Sequence, residues 1–122
     1  MPVVLVVDDE YGIARLLEDV FEDEGHRVLV ASNGRQALER AAEQRPDLVL
    51  TDFMMPVMDG AGLIAAMAAD PALADIPVIV MSSMPEETVA ARCSGYAVFV
   101  RKPFNIFDLI DLVAGLAGPV SP

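Results

Sequence analysis

A chain of 122 residues has the length of one domain, large enough to bury roughly two-thirds of its unfolded surface without disulfides or a structural metal. Its net charge of -11 argues against direct nucleic-acid binding, which needs clustered Lys and Arg, and favours cations or basic surfaces as partners. Hydrophobic residues reach 54%, but no apolar stretch approaches the ~20 residues that span a bilayer; with no basic region of a signal peptide at the start, this predicts a soluble, cytoplasmic protein.

In chain order, Val3 to Val7 is a short Val/Leu run, the mark of a strand covered on both faces. Ile13, Leu16, Leu17, Val20 and Phe21 then follow helical spacing, opposite Glu18, Asp19, Glu22 and Asp23, with Gly25 as the stop. His26 reads as a turn or strand-edge residue ahead of a second strand, Val28 to Ala31. Asn33-Gly34 precedes a helix carrying Ala37, Leu38, Ala41 and Ala42, and Leu48 to Thr51 is the third strand. Asp59 is positioned to cap a third helix with Leu63, Ile64 and Met67, closed by Asp70-Pro71. After a fourth strand, Val78 to Ser82, the run Ser83-Met84-Pro85-Glu86 reads as a capping box for a fourth helix. Ala97 to Arg101 is the fifth strand, and Asn105 caps a fifth helix that buries Ile106, Leu109, Ile110 and Val113. Lone Cys93 is read as a buried inert thiol, and residues 119–122 as a short tail after a domain spanning residues 1–118.

Alternation of this kind specifies an α/β fold, a parallel sheet with right-handed crossovers and helices on both faces. In such a sheet ligands gather outside the carboxyl ends of the strands. Four of the strands end there at chemistry-bearing residues: Asp8 and Asp9, Asp52, Ser82, and Lys102. Lys102 is the only lysine beside seven arginines, and a compact ammonium suits a phosphate or carboxylate oxygen.

Asp8-Asp9-Glu10, Asp52 through Asp59-Gly60, Ser82, and Lys102-Pro103-Phe104, in this order and spacing, resemble the receiver domain of two-component response regulators. The resemblance covers essentially the whole chain. It implies a flavodoxin-like, doubly wound five-stranded sheet of order 2-1-3-4-5 with five helices, the order of the chemotaxis receiver. It implies that Asp52 accepts a phosphoryl group from a phosphohistidine on a sensor histidine kinase or histidine phosphotransfer protein, and that a downstream protein or output domain reads the result. Mg²⁺ is then held by Asp9, Asp52 and the backbone carbonyl of Met54, with Asp8 acting through water; Lys102 and Ser82 hold phosphoryl oxygens, and Ser82 and Phe99 form the switch. A cis Lys102-Pro103 peptide bond is also implied.

Each residue has a plainer reading. An Asp at a strand end is more often a cap or turn residue, Ser82 can cap the next turn, and Phe99 can be a core aromatic. Between Ser82 and Gly95 the chain is about two residues shorter than the family pattern, which predicts a short or displaced fourth helix. Apolar Tyr96, Val98 and Phe99, with Met84 nearby, predict a homodimer or partner contact on the face of the fourth helix, fifth strand and fifth helix. Two rival functions remain at this stage. A haloacid-type phosphatase needs a second acid two residues past its nucleophile, where this chain has Met54; a phosphorylation-independent interaction module needs none of the chemistry.

Overall fold

The structure, a computed structural model, describes residues 2–118. Five parallel strands, β1 (Val3–Val7), β2 (Arg27–Ala31), β3 (Leu48–Asp52), β4 (Val78–Ser82) and β5 (Val98–Arg101), form one sheet in the order β2-β1-β3-β4-β5. Four helices connect them, α1 (Tyr11–Asp23), α2 (Gly34–Glu43), α3 (Gly60–Ala68) and α4 (Glu86–Ala90), and α5 (Ile106–Ala117) follows β5. This is the expected flavodoxin-like architecture. The chain reverses its winding direction between β1 and β3, so the ends of these two strands open onto a common crevice.

The pleat decides which residues serve which layer. Val4 and Val6 of β1 point toward α1 and α5, where they join Leu17, Phe21, Leu50, Ile79, Met81, Leu109 and Val113. Leu5 and Val7 point the other way, into a cluster with Phe53, Leu63, Ile64, Met67, Val80 and Val89 under α2, α3 and α4. Both faces of the three central strands are buried, which is why their sequences are unbroken apolar runs. Each fully buried Leu, Ile, Val or Phe contributes about 1.5–3 kcal/mol relative to exposure.

Several local expectations hold. The Asn33 side chain accepts from the Gln36 N–H, Asp59 from the Gly62 N–H, and Asn105 from the Phe107 and Asp108 N–H groups, capping α2, α3 and α5. α4 is only five residues long, as the short β4 to β5 connection requires. The capping box at Ser83 does not form: Pro85 takes the N-cap position of α4 and makes no side-chain cap bond. With Pro85 at the N-cap, Glu86 is the first helical residue rather than the third, so it has no place from which to close a box with Ser83. Leu16, expected inside, is half exposed, and Ala14 takes its place on the buried stripe of α1. His26 lies at the strand edge between the Glu24-Gly25 turn and β2, as expected, and is buried edge-on against Phe21. The expected tail, residues 119–122, lies outside the described residues.

Glycine matters most where two loops meet. The Gly60 N–H donates to the Phe53 carbonyl at 2.8 Å, and a Cβ there would stand 2.9 Å from the Asp52 carbonyl oxygen and 3.0 Å from the Phe53 Cα. Both obstacles are backbone and cannot swing away. Gly60→Ala is therefore expected to destabilise the fold by about 1–3 kcal/mol. Gly115→Ala, on α5 with nothing within 4 Å of the added carbon, should stabilise it by about 0.5–1 kcal/mol. Urea unfolding of the two variants beside the wild type measures both; destabilisation by Gly115→Ala would contradict the open space at that helix.

Candidate functional site

β1 ends at Val7, and the chain enters α1 through Asp8, Asp9 and Glu10. The Asp8 N–H donates to the Ala31 carbonyl at 3.1 Å, and Asp8 Oδ1 accepts the Glu10 N–H at 2.9 Å. This Asx turn holds the Asp8 carboxyl, 2% exposed, at the strand end. Asp52, 8% exposed, closes β3 and accepts the Phe53 N–H on Oδ1 at 2.9 Å. Oxygen atoms of Asp8, Asp9 and Asp52 lie within 4.8 Å of one another. From the end of β5, Lys102 Nζ reaches to 3.4 Å from Asp52 Oδ1 and 3.6 Å from Asp8 Oδ2. The Lys102-Pro103 bond is cis.

Three carboxylates thus face one ammonium. Burial is the main influence on Asp8 and Asp52 and pushes both carboxyls above their ordinary range. The Glu10 N–H and Lys102 oppose that shift at Asp8; at Asp52 Lys102 and the Phe53 N–H oppose it. Among the described residues, buried Asp8 Oδ2 has no hydrogen-bond partner. A buried carboxylate oxygen with no hydrogen bond, in a group of three carboxylates within 4.8 Å, is a donor set that fits a hard divalent cation with oxygen ligands.

Ser82 ends β4 and is 3% exposed; its hydroxyl accepts the Met84 N–H at 3.0 Å. It pairs in register with Arg101, the neighbour of Lys102. Phe99 is half-buried on β5, with its ring centroid 6.5 Å from that of Tyr96. Met54 stands 56% exposed in the loop after Asp52. In the same loop Val57 adopts φ +68°, a left-handed conformation that costs a β-branched residue about 1–2 kcal/mol, and the Met58 N–H donates to the Pro56 carbonyl at 2.7 Å.

Asp8, Asp9, Asp52 and Lys102 therefore meet as the strand-end argument requires. Ser82 lies at the same end of the sheet with its hydroxyl engaged by its own loop, and Phe99 packs toward α3 and α4. The apolar patch expected from Tyr96, Val98, Phe99 and Met84 is half-buried at all four residues, because three of them lean on the core beneath α3 and α4. Among the described residues, the large exposed apolar side chains are instead Tyr11, Leu16, Met54, Val57 and Phe107. Beside Lys102, Ile13, Ser83, Pro103 and Phe104 help to line a cleft of about 420 Å³ that the sequence reading did not foresee. Its signal in the sequence is Phe104, an aromatic directly after Lys102-Pro103.

Because the folded carboxyls of Asp8 and Asp52 hold protons more readily than unfolded ones, they favour the fold at low pH. That stability is lost as pH rises through their raised values. In metal-free buffer at neutral pH, Asp52→Asn or Asp8→Asn should raise the melting temperature by roughly 3–5 °C, the size of a relieved functional-site strain of about 1 kcal/mol. The gain should shrink to nothing as pH falls into the ordinary carboxylate range. A gain that grows on acidification would reverse the assigned sign.

An open parallel sheet of this order belongs to the flavodoxin-like class of α/β domains, here with an acidic crevice at its strand ends. Residues 4–114 match the family described as response regulator receiver domain, and the chain belongs to that family. It is 38% identical over 112 residues to sporulation initiation phosphotransferase F of Bacillus subtilis, covering 90% of this chain and 89% of that protein. The receiver domain of Francisella response regulator 1452 superposes with a TM-score of 0.86 at 33% identity, over 96% of this chain and 97% of that one. Response regulator TrrA of Thermotoga maritima, solved in complex with Mg(2+)-BeF, superposes with a TM-score of 0.84 at 28% identity, over 95% and 99% of the two chains. The chain spans about half the length of several longer relatives described as transcriptional regulators. No helix of the described residues is long and apolar enough to cross a membrane.

Proposed function

We propose that the chain is a phosphoacceptor switch in which Asp52 takes a phosphoryl group from a phosphohistidine of a sensor histidine kinase or phosphotransfer protein. The observation that carries this reading is the meeting of Asp8, Asp9 and Asp52 within 4.8 Å, with Lys102 Nζ 3.4 Å from Asp52. An Asp52 oxygen attacks phosphorus and forms the new P–O bond. The P–N bond breaks, and the imidazole leaves with its electron pair. Lys102 binds a phosphoryl oxygen, and the Ser82 hydroxyl donates to another; both act by position and polarity.

Asp9, Asp52 and the Met54 carbonyl would hold Mg²⁺, with Asp8 acting through water, and the bound ion would neutralise charge between the acidic pocket and the phosphoryl group. Support for the ion comes from the three clustered carboxylates, from Asp8 Oδ2, which has no hydrogen bond, and from the magnesium complex named for the Thermotoga relative. The domain is taken to span residues 1–118 and to work in the cytoplasm as a signalling element rather than a metabolic enzyme. Its readout surface is the α4, β5 and α5 face. There Val98, Asp108, Asp111, Leu112 and Leu116 help to line a groove of about 600 Å³, where a downstream protein or a second copy would dock.

Mg²⁺ binding to the native state alone should raise stability by roughly 2.7 kcal/mol at a hundredfold excess over Kd. Asp9→Ala should lose that response in thermal melts. Mass spectrometry after acetyl phosphate and Mg²⁺ should find one added phosphate, absent from Asp52→Asn. An unlabelled wild type would instead support a phosphorylation-independent interaction module.

Met54 and Met84, two residues past Asp52 and Ser82, bear on how long the phosphoryl group survives. Hydrolysis needs a water in line with the acyl phosphate, and a thioether accepts hydrogen bonds too weakly to orient one. The phosphorylated wild type should therefore outlast a Met54→Asn/Met84→Glu double variant. Phosphate loss followed over time decides this, and equal or slower decay in the variant removes both methionines from the timing.

A further inference from the structure

We propose that Arg101 and Tyr96 are positioning residues for Ser82, bracing the loop after β4 so that the Ser82 hydroxyl keeps its single proton free for a phosphoryl oxygen. The inference rests on the phosphoacceptor reading above. A hydroxyl carries one donor and two acceptor lone pairs. The Met84 N–H, at 3.0 Å, occupies an acceptor lone pair of Ser82 Oγ and so turns the proton away from the loop. Ser82 keeps this orientation only while the Ser83-Met84 backbone stays in place.

Local capping does not hold that backbone. α4 has five residues, and its N-cap Pro85 contributes no side-chain bond. The braces come instead from the neighbouring strand and the turn before it. Arg101 Nε donates to the Ser83 carbonyl at 3.0 Å, one residue from the hydroxyl it steadies. The Tyr96 hydroxyl donates to Glu86 Oε2 at 3.1 Å and ties down the first turn of α4. Its ring also leans on Phe99, 6.5 Å between centroids, so the brace and the proposed switch aromatic share one packing contact. Arg101 and Tyr96 touch the two ends of the segment from Ser83 to Glu86, and Ser82 sits at its root.

The probe is beryllofluoride, a phosphoryl mimic, titrated with Mg²⁺ into the full chain and followed by fluorine NMR. Arg101→Ala and Tyr96→Phe should each weaken its binding by roughly three- to tenfold, the range expected for one net hydrogen bond. Tyr96→Phe keeps the ring and changes no charge, so it separates the brace from the loss of a cation beside Lys102. In a Ser82→Ala background both losses should disappear, because residues acting through one group are not additive. Losses that persist in that background, or tightened binding in either single variant, overturn the proposal. Wild-type binding that both single variants leave unchanged overturns the positioning alone. A wild type that binds no beryllofluoride overturns the phosphoacceptor reading together with the proposal, and the Mg²⁺ melts identify which of the two failed first.

Discussion

Burial of like charge beside a single counter-charge is the constraint on which the molecule turns. Asp8 and Asp52 sit almost wholly out of water, 3.6 and 3.4 Å from the ammonium of Lys102, and Asp9 adds a third carboxylate at the rim. Left alone such groups shed charge by taking up protons. The fold must therefore supply rigidity enough to keep them together, and it does so by placing them on the ends of strands whose other residues are buried on both faces. The apolar layers beneath α1 and α5 and beneath α2, α3 and α4 oppose the repulsion at the pocket. Stability in one part of the sheet is exchanged for reactivity at its edge, the usual relation between a scaffold and a charged site.

The loops show the same exchange on a smaller scale. Val57 is held at a positive φ that suits glycine better, while Gly34 and Gly60 permit backbone approaches that any side chain would block. The Gly34 N–H donates to the Met58 carbonyl at 2.9 Å, so the start of α2 buttresses the loop that follows Asp52. A strained residue persists where its surroundings over-determine it. The loop carrying Met54 is held in this way from β3, α2 and α3.

Most of the fold was legible in the sequence because its signals are local. Val3 to Val7 and Val78 to Ser82 are apolar runs of strand length, and Asp59 and Asn105 announce helix starts by residue type alone. The pocket was legible for a different reason: chemistry-bearing residues fell at equivalent places after four runs, and topology converts equivalent places into neighbours. What failed was information carried between elements. The Ser83 capping box lost to Pro85, and the half-burial of Tyr96, Phe99 and Met84 is set by packing on the core beneath α3 and α4 that no spacing along the chain encodes. The Arg101 to Ser83 contact spans 18 residues of sequence and has no local mark at all.

Lys102 has one further consequence. As the only lysine of the chain, it is the one side-chain primary amine that an acylating or reductive-alkylating reagent can reach, and its side chain is 17% exposed. In the pocket that amine lies 3.4 Å from Asp52 and 3.6 Å from Asp8. Amine chemistry on the intact protein therefore has a single internal address, and its extent reads how far the pocket is open without any label being introduced.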